Sequence, residues 1–114
     1  MRTLAREHAR FCYLALHRGQ WAGSQVVPRE YYDAAWRGSK VHPEYGALWW
    51  VYPYHRDGPK DLVQTLGFRG NNGYIVPSLD LVCVRLGDSD ELPGETETFD
   101  AGLLKRVLAA IVEK

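Results

Sequence analysis

Residues 71–87 read NNGYIVPSLDLVCVRLG. Within them, residues 74–76 and 81–86 are short runs of aromatic, β-branched and aliphatic side chains, separated by Pro77-Ser78-Leu79-Asp80. Pro77 has no N–H to give a ladder, so a strand ends there, and the four residues make a tight turn. The two runs therefore predict an antiparallel hairpin. Immediately upstream, Gly67-Phe68-Arg69-Gly70-Asn71-Asn72-Gly73 is a glycine-rich turn in which Asn71, Asn72 and Gly73 suit positive φ. Residues 61–68 lead into it as a further strand.

Two more elements border this unit. Residues 45–52, YGALWWVY, read as a strand with Tyr45, Ala47, Trp49 and Val51 on one face and Leu48, Trp50 and Tyr52 on the other. Both sets are apolar, so cover is expected on both sides. A loop carrying Pro53, His55, Asp57, Gly58 and Pro59 follows. Downstream, residues 87–98 form an acidic loop. Asp100 is then placed to cap a closing helix whose Leu104, Val107, Leu108 and Ile111 make one apolar stripe. The chain opens with an amphipathic helix over residues 3–18, capped by Thr3 and stopped by Gly19, with Leu4, His8, Phe11, Cys12, Ala15 and Leu16 on one stripe. After a turn at 19–23, a short second helix starts at Pro28 and ends before Gly38. Helices, antiparallel strands and a final helix give an α+β layer, with an amino-terminal and a carboxy-terminal helix packed on the sheet.

Composition bounds the function classes. The 114 residues make one unit, and 46% hydrophobic with 25% charged residues is globular composition that excludes disorder. Fourteen Lys plus Arg against fourteen Asp plus Glu leave a net charge of +0, without the field that draws a chain onto nucleic acid or an anionic membrane. No apolar run approaches the roughly 20 residues of a membrane span. Residues 1–18 intersperse charges among apolar positions, unlike a signal or transit peptide. Cys12 and Cys83 are too few for a disulfide scaffold and read as two reduced thiols.

Most chemistry-bearing residues have a plain structural reading. His8 and Cys12 lie four apart, a metal-holding spacing, but no further ligand accompanies them, so a packed helix face is expected and no metal. Arg2, Arg6 and Arg10 form a solvated helix face. Trp49, Trp50 and Tyr52 are core aromatics rather than a stacking surface. His17, His42 and His55 have no motif partners.

Four blocks carry a resemblance. Ala5-Arg6-Glu7-His8-Ala9-Arg10-Phe11, with Leu14 and Leu16, is similar to "ARDHARFGYLxL". Arg18-Gly19-Gln20-Trp21-Ala22-Gly23 with Val26-Val27-Pro28 is similar to "RGxWxGxxVVP". Tyr45-Gly46-Ala47-Leu48-Trp49-Trp50 is similar to "YGYxWW". Gly67-Phe68-Arg69-Gly70-Asn71 with Pro77, Asp80 and Val82 fits "GxxGQxxxxxPxxDxV" without a gap. In order and together, they resemble the carboxy-terminal portion of the serine beta-lactamase-like hydrolases. That family comprises class C beta-lactamases, penicillin-binding proteins, related esterases and 6-aminohexanoate-oligomer hydrolases.

The resemblance implies acyl-enzyme chemistry without a cofactor, on a small-molecule ester, amide or lactam. It also implies that Gly67, Phe68, Arg69, Gly70 and Asn71 line the substrate pocket, with a backbone N–H near Gly67 or Phe68 as one oxyanion donor. The departures are equally specific. Ser24, Ser39, Ser78 and Ser89 each lack a lysine three residues on, and no Tyr-x-Asn or Tyr-x-Ser occurs. The Lys-Thr-Gly or His-x-Gly strand keeps only Thr65-Leu66-Gly67. The family places the nucleophile and tyrosine upstream of the block that Met1 begins. The expectation is thus a truncated member, inactive alone, with self-association through the exposed sheet. The alternative is a non-catalytic remnant or binding module of the same fold.

Overall fold

The computed structural model describes residues 2–52, 54, 56, 58–67, 71–87 and 99–111. Helix α1 spans Ala5–Leu16 and helix α2 spans Arg29–Ala35. Between them lies a two-stranded ribbon, β1 (Gln20–Trp21) and β2 (Ser24–Gln25). A four-stranded sheet follows: β3 (Trp50–Val51), β4 (Val63–Leu66), β5 (Asn72–Val76) and β6 (Leu81–Arg85), closed by helix α3 (Phe99–Ala109). The sheet is an antiparallel meander in chain order, β3-β4-β5-β6. The class is α+β, as the hydrophobic patterning predicts.

The hairpin at residues 71–87 forms, with Tyr74 paired to Cys83 and Val76 to Leu81. Its turn is a single 3₁₀ turn, Pro77–Leu79, ended by Asp80 at φ 50. An aspartate tolerates that left-handed conformation better than most side chains. The side chain of Asp61 accepts bonds from the Ser78 N–H (2.6 Å) and hydroxyl (3.0 Å), which fastens this turn to the approach of β4.

Alternation along β5 sorts the sheet into two faces. Ile75, with Val51 and Val63, packs on Cys12, Ala15, Tyr32 and Ala35, so α1 and α2 cover one face. Tyr74 and Val76, with Leu62, pack on Leu104, so α3 covers the other. The two cysteines end up on opposite faces, Cys12 in the first cluster and Cys83 against the second, both as free thiols.

Several expectations are corrected. Helix α1 starts at Ala5 after Leu4, and Thr3 makes no capping bond; its hydroxyl donates to the Leu4 carbonyl instead. Of the predicted stripe, His8, Cys12 and Ala15 are buried, whereas Leu4 is 74% and Phe11 48% exposed. Gly19 does sit in the left-handed region (φ 87), but Arg18 before it already does so (φ 52). Residues 19–23 are more than a turn, because Ala22 and Gly23, both at positive φ, close the β1–β2 hairpin. Pro28 precedes α2 with extended ψ rather than opening it.

The largest correction concerns residues 45–52. Rather than one strand, the segment doubles back: Tyr45 bridges Trp50, the Gly46 N–H bonds the Trp49 carbonyl at 2.8 Å, and Leu48 takes φ 72 at the reversal. Trp49 is therefore buried while Leu48 is 75% and Tyr52 39% exposed. Asn72 and Gly73 are not turn residues either. Both belong to β5, and neither has positive φ. At the carboxy terminus Asp100 lies inside α3, and Leu104 is buried with Leu103 and Leu108 partly buried beside it, while Ile111 falls beyond the helix and is exposed. The acidic loop after Gly87 lies outside the described residues.

Candidate functional site

The turn between β4 and β5 is the site the sequence singles out. Phe68, Arg69 and Gly70 lie outside the described residues; Gly67 and Asn71 frame them. Both ends of the turn are tied by asparagine side chains. The Gly67 N–H donates to Asn72 Oδ1 at 3.1 Å, and the Gly87 N–H donates to Asn71 Oδ1 at 2.8 Å. Asn72 Nδ2 in turn donates to the Tyr74 hydroxyl at 3.2 Å. A Cβ on residue 67 would lie 2.5 Å from the Asn71 carbonyl oxygen, so only glycine permits the neck of the turn to close this tightly. The Gly67 N–H expected as an oxyanion donor is therefore already engaged within the chain.

One layer below, on the α1 face, four residues meet in a contact that no motif announces. Thr65 Oγ1 accepts the Gly73 N–H at 3.0 Å and lies 3.0 Å from His8 Nε2. A Cβ on Gly73 would lie 2.7 Å from Cys12 Sγ and 3.0 Å from both His8 Nε2 and Thr65 Oγ1. The absence of a side chain at 73 is what lets α1 settle on the sheet. Burial holds the His8 imidazole below its ordinary pKa, and pushes the Cys12 thiol up to about 12, with Cys83 adding to the rise.

A hydroxyl beside an imidazole is the beginning of a nucleophile–base pair. Among the described residues the rest of such a device is missing. The hydroxyl oxygen already accepts a backbone N–H, and His8 Nδ1 is buried with no partner to orient it among the described residues. Cys12, as a buried thiol, carries almost no thiolate at neutral pH. The cluster fastens the helix to the base of the turn.

Two hollows lie elsewhere. One is a tight crevice lined by Trp50, Tyr54, Leu62 and Gln64, where both amide atoms of Gln64 are buried without a hydrogen bond among the described residues. The other is an open cleft of about 530 Å³ bordered by Tyr32, Trp36, Arg37, Tyr52, Lys60 and Pro77. Arg18 also lines it, paired with Asp33 and stacked 4.7 Å above the Trp36 ring. Gly67 and Asn71, the described residues of the turn, line neither hollow. Among the described residues no group of His, Cys, Asp or Glu is arranged to hold a metal ion, and no helix is long and apolar enough to cross a membrane.

Comparison with known protein families, characterised proteins and solved structures finds no match. The site is thus read from its own geometry and from the four sequence blocks. Those blocks do not reach the His8–Thr65–Gly73 contact as a unit. Its members are up to 65 positions apart in the chain, and only the strand register brings them together.

Proposed function

We propose that this chain supplies the carboxy-terminal, non-nucleophilic part of a serine hydrolase that attacks an ester, amide or lactam through an acyl-enzyme. Residues 67–71 form one wall of its substrate pocket. What carries the reading is the turn they belong to, which is held at both ends by Asn71 and Asn72 and seated on a sheet backed by helices. A pocket wall must hold its position while a substrate turns over, and the ties at Gly67 and Asn71 suit its described ends to that task. In this reading substrate rests against the backbone of 67–71, and the nucleophilic serine, its lysine and the tyrosine come from sequence that this chain does not contain.

The test is to read the frame upstream of the Met1 codon for Ser-x-x-Lys followed by Tyr-x-Asn or Tyr-x-Ser. The encoded segment is then co-expressed with this chain, and hydrolysis of a chromogenic ester and a chromogenic lactam is measured. Turnover that needs both pieces, and that is lost when the upstream serine becomes alanine, is the expected result. Turnover by this chain alone, or an upstream region without the pair, overturns the proposal. Because a purely binding role also predicts no turnover by the chain alone, the reconstituted reaction is what separates the two.

A further inference from the structure

The open cleft of about 530 Å³ lies between the end of α2 and the approach to β4, and five charged side chains line it: Arg18, Asp33, Arg37, Lys60 and Asp61. Three of them are committed. Arg18 is paired with Asp33 and stacked on Trp36, and the Asp61 carboxylate accepts both bonds from Ser78. The side chains of Arg37 and Lys60 have no ion-pair or hydrogen-bond partner among the described residues. The chain as a whole is neutral, yet the charge left uncompensated in this cleft is positive.

Two further lining residues add uncharged donors. Tyr32 is 3% exposed, and its hydroxyl makes no hydrogen bond among the described residues. Burial, with Tyr31 beside it, raises the Tyr32 pKa, so that hydroxyl keeps its proton. The indole N–H of Trp36 is buried and equally without an acceptor among the described residues. A buried donor in that state carries a desolvation cost that an arriving acceptor relieves.

The chemistry of the set selects its ligand. Guanidinium, ammonium and indole groups can only donate, and an ionised carboxylate can only accept. Trp36 is the C-cap of α2, so the helix end at the cleft is the carboxy-terminal one, whose carbonyl dipoles disfavour a doubly charged phosphate more than a single carboxylate. Tyr52, 39% exposed, and Pro77 add an apolar flank that suits a flat body. The volume falls within the range of about 300–1,000 Å³ that small-molecule sites occupy.

We propose that this cleft binds a small aromatic carboxylate, whose carboxylate meets Arg37 and Lys60 and whose ring lies against Tyr52. Tyr32 and Trp36 supply the uncharged donors. Gly67 and Asn71 do not line the cleft, and the proposal does not depend on the hydrolase reading.

The probe is 2-naphthoate, titrated into the nitrogen-15-labelled 114-residue chain and followed by the Trp36 indole N–H and the backbone amides of 36–38 and 60–63. Those signals should move together, and 2-naphthamide, which has the same rings and no charge, should bind about tenfold more weakly. Arg37→Gln combined with Lys60→Gln should abolish the difference between the two probes while leaving naphthamide binding in place. Tyr32→Phe should weaken naphthoate about fivefold without lowering the urea midpoint, because the lost hydroxyl bonds nothing within the chain. No shift with millimolar naphthoate overturns the proposal. So does equal binding of acid and amide, which would make the cleft an apolar surface only. Shifts centred on other residues place the site elsewhere, and tighter binding of 2-naphthyl phosphate makes it a phosphate site; either result overturns the proposal equally.

Discussion

Against α1 the sheet presents Gly73, Thr65 and Ile75; against α3 it presents Tyr74, Val76 and Leu62. Neighbouring residues of the same strand thus do opposite work. On the α3 face Tyr74, fully buried, fills the space between sheet and helix. On the α1 face the space is removed instead, because Gly73 lets the helix approach until His8, Cys12 and Thr65 occupy the volume a side chain would take. One face is stabilised by area, the other by proximity. Proximity is the less tolerant design, since a close-packed contact has no rotamer with which to absorb added atoms.

Substitutions on the two faces turn this contrast into numbers. Tyr74→Ala should be the most damaging, at about 4 kcal/mol, because a fully buried aromatic leaves a cavity and Asn72 loses an acceptor. Urea unfolding followed by tryptophan fluorescence reads it. Gly73→Ala should cost about 2 kcal/mol although it adds a single methyl group, and it should be partly rescued by Cys12→Ala, which vacates the nearest atom. An unchanged unfolding midpoint for Gly73→Ala would mean that α1 does not sit as close as the contact distances require.

The smallest effect is a pH dependence confined to the α1 face. Burial lowers the His8 pKa in the folded chain below its ordinary value of 6.5. The unfolded chain therefore takes up the proton first as pH falls, and stability drops with it. The contribution is complete above about pH 6.5 and is lost progressively as pH falls through that value toward the folded pKa. Comparing unfolding midpoints near pH 7.5 and pH 5.5 in the native chain and in His8→Gln checks this, the variant having the shallower dependence.

The elements were legible in sequence where local chemistry fixes the answer. Pro77 and Asp80 mark the hairpin turn, and β-branched residues flank it; the stripe through His8, Cys12 and Ala15 marks the buried side of α1. Residues 45–52 misled because eight apolar residues carry no period that distinguishes a strand from a folded-back segment. The reversal there places a leucine at φ 72, a conformation that propensity argues against and that tertiary contacts impose. The candidate site was legible only at its frame. Asn71 is visible as a turn residue, whereas Asn72, which reads as one, belongs to β5. That their side chains tie the turn, and that Gly73 serves helix packing rather than chain reversal, follows from register alone. A one-residue slip would send Gly73 to the other face.

The meander has a kinetic consequence. Every strand of the sheet pairs with its neighbour in sequence, so β3 through β6 can assemble by closing short loops. The seating of α1 is different, because His8 meets Thr65 across 57 positions of chain. Closing that long loop is the slow, entropically costly event, and it falls after the hairpins have formed. The helix should then be absent from the folding transition state. Mutations at Ala15 should chiefly accelerate unfolding, and mutations at Ile75 should slow folding as well; stopped-flow chevrons that show the reverse would put the helix first.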